Sequence, residues 1–384
     1  MKVARRSHVP PFAVMEILAA AKARRAAGED VIVLCAGEPS SGAPAAVRQA
    51  AAALVAGGDL GYTEPTGTPA LRAALAAHYA DTYGVTVDPG RVAVATGSSG
   101  AFLLAFLAAF DEGDRVALAR PGYPAYANIL AALGCEVVDL PCGPAQRYQP
   151  TPAQLAAAGP LDGLVLASPA NPTGTMVTPG ELAALASWCA QAGVRLVSDE
   201  IYHGITYAGA PLAATAAGAP GAVVVSSFSK FWGMTGWRLG WLVLPDDLVE
   251  PVAALAGNLA LCPPSLAQHA ALAAFTPEGL AAARQATERY AVCRDLLLAA
   301  VPALGWDVAP ADGAFYLYGN VTRFGLDSPA YCERLLAEAG VALTPGTDFD
   351  PAGGRDWVRL SFAVEPDGLA EAVRRIVAWQ GGLA

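Results

Sequence analysis

Ala222-Val223-Val224-Val225 running into Ser226-Ser227-Phe228-Ser229-Lys230 is the stretch whose reading decides the fold. Its first half is a short apolar run of the kind that forms a buried strand. Its second half is a polar turn that ends on a lysine. The same layout recurs four times upstream. Arg91–Ala95 runs into Thr96-Gly97-Ser98-Ser99-Gly100, and Arg115–Ala119 into Arg120-Pro121-Gly122-Tyr123-Pro124-Ala125-Tyr126. Gly163–Ala167 runs into Ser168-Pro169-Ala170-Asn171-Pro172-Thr173-Gly174, and Val194–Ser198 into Asp199-Glu200-Ile201-Tyr202. Ala-rich helical segments, among them Ala101–Phe110 and Pro179–Ala192, lie between the strands. This alternation predicts an α/β fold with a mostly parallel sheet covered on both faces. Ligands of such sheets bind beyond the carboxyl ends of the strands. Five successive strand ends deliver polar or aromatic groups to one edge, so they are read as one site.

The C-terminal third changes rhythm. A long helical stretch, about Pro277–Leu304, leads to strands near Ala314–Tyr318 and Trp357–Phe362, with helices near Ser328–Ala339 and Asp367–Trp379. The last helix carries Leu369, Val373, Ile376 and Val377 as an apolar stripe. The expected organisation is a large domain over 37–276 and a smaller α+β domain over 277–384. An N-terminal segment, 1–36, is expected to pack with the smaller one.

Composition removes several classes. The 384 residues are 54% hydrophobic and 15% charged, with a mean hydropathy of +0.39. Much of that apolar content is Ala, and every long apolar stretch is broken before it reaches the length of a membrane span. A net charge of −10 argues against a nucleic-acid surface. The seven cysteines are irregularly spaced with no Cys-x-x-Cys pair, so neither a disulfide scaffold nor a metal site is expected. Glu16 and Lys22 interrupt the N-terminal apolar run that a signal peptide needs. A cytoplasmic protein is expected.

Of 24 basic residues only Lys2, Lys22 and Lys230 are lysines, which leaves Lys230 alone in the body of the chain. It follows an apolar strand, its flanks are Phe228, Phe231 and Trp232, and Arg238 lies eight residues on. Burial and a neighbouring cation both disfavour the charged amine. A lowered pKa is what a Schiff-base lysine needs. A surface lysine is the bland alternative.

Gly97-Ser98-Ser99-Gly100 joins a strand to a helix, where small residues let backbone N–H groups surround an anion. It lacks the lysine of a P-loop and is neither a dinucleotide fingerprint nor a nucleophile elbow. Ser227 and Arg238 are further anion ligands, the Arg through paired hydrogen bonds. Asp199 ends an apolar strand, where a bare carboxylate is costly. It reads either as a helix N-cap or as the counter-charge of a protonated ring nitrogen. At ~4 Å and an effective dielectric of ~20, such a pair is worth on the order of 4 kcal/mol.

These residues carry a resemblance to the class I/II aminotransferases of the fold-type I pyridoxal-phosphate superfamily. Ser227-Phe228-Ser229-Lys230 with Gly236-x-Arg238-x-Gly240 is similar to the family's lysine signature. Asn171-Pro172-Thr173-Gly174, Asp199-x-x-Tyr202, Gly37-Glu38-Pro39, Tyr62-Thr63, Gly313-Ala314-Phe315-Tyr316 and Arg359-Leu360-Ser361-Phe362 match as well. The resemblance implies an aspartate-aminotransferase-like fold, pyridoxal phosphate as cofactor, and a homodimer with shared sites. It implies that Lys230 carries the cofactor, Asp199 pairs with its ring nitrogen, and Asn171 and Tyr202 bond its phenolic oxygen. Tyr123 is implied to stack on the ring. Gly97, Ser98, Ser99, Ser227 and Arg238 are implied to hold the phosphate, with Tyr62 reaching the other subunit's. Arg359, with Asn171 and the Gly37 backbone, is implied to hold the substrate carboxylate.

Tyr123 and Tyr126 remain open as ordinary packing aromatics, and Arg359 as a domain-interface ion pair. The expected activity is transfer of an amino group between an L-amino acid and a 2-oxo acid by a ping-pong mechanism. Lyase chemistry by C–S β-elimination, a ring-forming synthase and a ligand-sensing regulatory domain are the alternatives. The basic-free loop Gly97–Ala101 leans the substrate toward neutral or aromatic amino acids, with Arg120 as a possible counterexample.

Overall fold

Alternating Val and Leu residues in the central strands bury both faces of one sheet. The computed structural model describes residues 1–383. After a helix at Ala13–Ala26 come β1 (Ile32–Val33), β2 (Val92–Ala95), β3 (Arg115–Arg120), β4 (Glu136–Pro141) and β5 (Gly163–Ala167). β6 (Arg195–Asp199), β7 (Val223–Ser227) and β8 (Gly240–Val243) follow. The main sheet has the order β2-β8-β7-β6-β5-β3-β4. All its pairings are parallel except those of β8, which runs antiparallel to both β2 and β7. Leu164, Leu166 and Val224 face one hydrophobic core, while Val165, Val223 and Val225 face a second on the other side. A strand buried on both faces reads as a continuous apolar run, which is why five of the seven strands stood out in the sequence.

The other two strands carry weaker signals. β4 lies at the sheet edge, with Glu136, Asp139 and Pro141 exposed. β8 is only four residues long and opens on Gly240. It runs antiparallel to both of its neighbours.

Local signals set the helix limits. Pro179–Ala192 starts with a capping box: Thr178 Oγ1 accepts from the Glu181 N–H, and Glu181 Oε2 accepts from the Thr178 N–H at 2.7 Å. The helices Pro277–Leu304 and Ser328–Ala339 have the expected limits. The loop expected at Gly97–Gly100 is instead the first turn of the helix Gly97–Ala109. Gly97 has φ +69°, which turns the chain from β2 into that helix.

In the C-terminal part, β9 (Asp307–Val308), β10 (Tyr316–Asn320), β12 (Thr344–Pro345) and β13 (Trp357–Ser361) form an antiparallel sheet of order β12-β13-β10-β9. β11 (Val341–Ala342) pairs in parallel with β1, so the N-terminal segment is stitched to this region. Among the described residues no helix is long and apolar enough to cross a membrane.

Leu164, wholly buried in β5, tests the core. Truncation to Ala removes buried methyl groups and leaves a cavity, at a cost of about 2–5 kcal/mol. The expected outcome is a clearly lower urea midpoint for Leu164→Ala; an unchanged midpoint contradicts the packing described.

Candidate active site

A cavity of about 270 Å³ opens at the carboxyl edge of the main sheet, where β5, β6 and β7 end and the helix Gly97–Ala109 begins. Gly37, Ser98, Ser99, Tyr123, Asn171, Asp199, Tyr202, Lys230, Arg238 and Arg359 line it. Residues spread over more than 300 positions of chain thus meet in one place.

Lys230 follows β7, and its Nζ donates to the Gly37 carbonyl at 2.7 Å. Burial, reinforced by Arg359 and Arg238 and opposed by Glu38 and Asp199, lowers its pKa to about 8. An amine poised there is neutral for part of the time near neutral pH, as a nucleophile and proton carrier requires.

Asp199, the last residue of β6, is buried. Its Oδ1 accepts from the Ile201 N–H at 3.0 Å, and its Oδ2 accepts from the Tyr126 hydroxyl. Burial raises its pKa to about 7, while both hydrogen bonds and Lys230 act to hold it down. A carboxylate kept in such surroundings gains most from a cationic partner.

Arg359, in β13, is 4% exposed. Its Nη1 donates to Asn171 Oδ1 at 2.8 Å and its Nη2 to the Cys35 carbonyl at 2.6 Å. Its Nε has no hydrogen-bond partner among the described residues. The guanidinium lies between two aromatic rings, 4.5 Å from the Tyr316 centroid and 4.6 Å from that of Phe349. The site thus holds a rigid cation with donor capacity to spare.

The anion-binding features gather at the opposite end. The first turn of the helix Gly97–Ala109 leaves backbone N–H groups unpaired, at the positive end of the helix dipole. Arg238, at φ +52°, donates from Nη1 to the Thr235 carbonyl at 2.9 Å. A Cβ on Gly97 would collide with the Arg238 guanidinium. The cradle offers anion donors at the helix terminus and Arg238, and beyond them a carboxylate (Asp199), a phenol (Tyr202), an amide (Asn171) and an amine (Lys230), a set that would suit a flat ring bearing one phosphate.

Ser227 is buried and accepts from the Ser229 N–H at 3.2 Å, while Ser229 lines the cavity in its place. Tyr62 is 86% exposed and does not reach the cavity within this chain. Tyr123 lines it, stacked on Phe12 with centroids 6.1 Å apart. Arg120 points elsewhere, its Nε 2.6 Å from Asp139.

Tyr126 and Tyr316 are functional candidates to which the sequence assigned no role. Tyr126 lies in the helix Pro124–Leu133 and reaches Asp199. Its place three residues after Tyr123, on the same helical face, was the available signal. The Tyr316 hydroxyl is 2.7 Å from that of Tyr202. Tyr318 pairs with Arg359 across β10 and β13, so Tyr316 shares the Arg359 face.

Comparison with known proteins identifies the family. The family model for aminotransferase class I and II matches residues 29–376. The valine–pyruvate aminotransferase of Mycobacterium tuberculosis is 54% identical over 381 residues, 98% of each chain. A crystal structure of an aminotransferase from the same organism superposes with a TM-score of 0.98 at 54% identity, covering all of both chains. The aspartate aminotransferase of Thermus thermophilus with maleate superposes with a TM-score of 0.93 at 34% identity, covering 98% of this chain and 99% of that one. The chain belongs to the class I and II aminotransferases, pyridoxal-phosphate enzymes that transfer amino groups.

The buried carboxyl makes stability depend on pH when the cofactor is removed. Asp199 releases its proton near pH 3.8 in the unfolded chain but near pH 7 in the folded one. Between those values the folded state binds the extra proton, so stability falls as pH rises. Glu200, raised to about 7 by burial, acts in the same direction. His78 and His203, lowered to about 4 by burial, act in the opposite direction over the same range. The readout is therefore the difference between two proteins: raising the pH from about 5 to about 7 is expected to lower the urea midpoint of the cofactor-free protein relative to that of Asp199→Asn. Equal slopes for the two proteins contradict this assignment.

Proposed function

We propose that the chain moves an amino group between a neutral, apolar L-amino acid and a 2-oxo acid, the two using one site in turn. The observation that carries this reading is the convergence of Lys230, Asp199 and Arg359 on one cavity. Bound pyridoxal phosphate supplies an electron sink for the bonds at the substrate Cα. Lys230 Nζ holds the cofactor in the resting state, and once displaced by the donor amine it carries the Cα proton. Asp199 keeps the ring nitrogen protonated. Tyr126 keeps Asp199 ionised and oriented, and Tyr202 and Asn171 bond the phenolic oxygen. Tyr123 stacks on the ring. Ser98, Ser99, Ser229 and Arg238, with the Gly97 backbone turn, hold the phosphate. Arg359, with Asn171 and Gly37, clamps the α-carboxylate and so sets the direction of the Cα–H bond.

The substrate class follows from the cavity wall. Its cations are Lys230, Arg238 and Arg359, each already given a task, and Val14 and Ile129 supply apolar surface. A second carboxylate on the substrate finds no counter-charge there, which costs affinity relative to an apolar side chain. The name of the Mycobacterium tuberculosis relative, valine–pyruvate aminotransferase, supports the same choice. Segment 37–276 acts as the cofactor-binding body, and 277–384 with 1–36 as the smaller unit that brings Arg359 and Val14 to it.

A panel of donors against pyruvate and 2-oxoglutarate tests this reading. Valine and other apolar donors are expected to exceed aspartate in kcat/KM by at least about tenfold, the effect of one unmatched charge. Lys230→Ala abolishes turnover and the visible absorption of the lysine-bound cofactor. Arg359→Leu, which deletes charged hydrogen bonds, raises KM for the amino acid by about tenfold or more. Preference for aspartate, or a Lys230→Ala protein that still turns over, overturns the proposal.

The protein is proposed to act in the cytoplasm as a homodimer. All seven cysteines are free. Tyr62, Leu259 and Leu261 leave apolar surface exposed, and Leu259 lines a groove with Leu103 and Pro65. A second copy covers that surface and receives Tyr62 at its phosphate site. Light scattering is expected to give twice the chain mass of 39.1 kDa; a monomer at micromolar concentration contradicts it.

A further inference from the structure

A second cavity, of about 530 Å³, shares no lining residue with the first but takes its floor from neighbours in sequence, Glu200 beside Asp199 and Ser227 near Lys230. Glu200 is 2% exposed. Its Oε1 accepts from the Ala216 N–H at 2.8 Å and from Ser198 Oγ at 3.1 Å. Its Oε2 has no hydrogen-bond partner among the described residues. His203 Nδ1 lies 3.5 Å from it. The His203 ring bonds the Ser168 backbone, and burial lowers its pKa to about 4, so it stays neutral. Its Nδ1 then accepts from the Tyr83 hydroxyl, 2.8 Å away. That leaves the oxygen of Tyr83, a residue of the cavity lining, with unused acceptor capacity.

The charges and walls point the same way. Glu200 and Asp81 line the cavity, against one cation, the exposed Arg284. Trp232 packs edge-on against Phe231 and Phe275 at 4.9 Å and 5.4 Å, and all three line the cavity. Aromatic faces and a buried carboxylate together favour a cation with an apolar body. The first cavity, with three cations on its wall, favours anions.

We propose that this second cavity binds a small organic ammonium ion, its N–H donated to the Tyr83 oxygen, its charge balanced by Glu200 and Asp81, and its body held by Phe231, Trp232 and Phe275. The assignment does not depend on which amino acid the first cavity accepts. Because Glu200 follows Asp199 directly in the chain, a ligand there sits one residue from the carboxylate opposite the cofactor ring.

Calorimetric titration of the holoenzyme with protonated N,N-dimethylbenzylamine tests the proposal. This tertiary amine has one N–H and cannot condense with pyridoxal phosphate. It is expected to bind one per chain. Benzyltrimethylammonium, which lacks the N–H, binds several-fold more weakly, and neutral benzyl alcohol about tenfold more weakly or not at all. Tyr83→Phe brings the amine to the level of the quaternary ion. Ala77→Trp, an exposed position on the cavity lining, abolishes binding while the transamination rate is unchanged. Absence of binding overturns the proposal, as does equal affinity for benzyl alcohol. Binding that survives Ala77→Trp, or that a competitive inhibitor of the first cavity displaces, overturns it too.

Discussion

A carboxylate held dry at the end of β6 is the constraint on which the rest of the site depends. Asp199 has two hydrogen bonds and a lysine in the same cavity, yet burial still favours its protonated form. In a cofactor-free chain this is a cost to stability. A cationic ring nitrogen placed against Asp199 reverses that cost, because pairing favours the ionised form that burial disfavours. The energy that binds the ring and the energy that keeps its nitrogen protonated are then the same interaction. Tyr126 adds a charge-assisted hydrogen bond in the same sense.

Lys230 and Arg359 are the complement of that arrangement. Arg359 and burial lower the lysine pKa to about 8. Arg359 itself is held by Asn171, the Cys35 carbonyl and two aromatic rings. It comes from the C-terminal sheet, whereas Lys230 and Asp199 come from the main one. The site therefore exists only when both sheets and the N-terminal segment are in place, and β1 pairing with β11 ties that segment down.

Most of the scaffold was legible because the signals were local. Val223–Val225 and Leu164–Leu166 face two cores by simple alternation, and Thr178 with Glu181 announces its helix in four residues. β8 was missed because it is only four residues long and its first, Gly240, reads as the end of the motif Gly236-x-Arg238-x-Gly240. Lys230, Asp199, Tyr202 and Arg359 were legible from residue type at strand ends together with the family resemblance. Tyr126 and Tyr316 were not, because their roles come from partners 73 and 114 positions away. Composition alone suggested nothing about Arg120, which the structure pairs with Asp139 away from the cavity.

In the proposed function Asp199 fixes the protonation of the cofactor ring. Nitrogen NMR of the holoenzyme loaded with ¹⁵N-labelled pyridoxal phosphate reads that state directly. The ring nitrogen is expected to be protonated from about pH 6 to about pH 9 in the unaltered protein and unprotonated at neutral pH in Asp199→Asn. The same nitrogen shift in both proteins contradicts it.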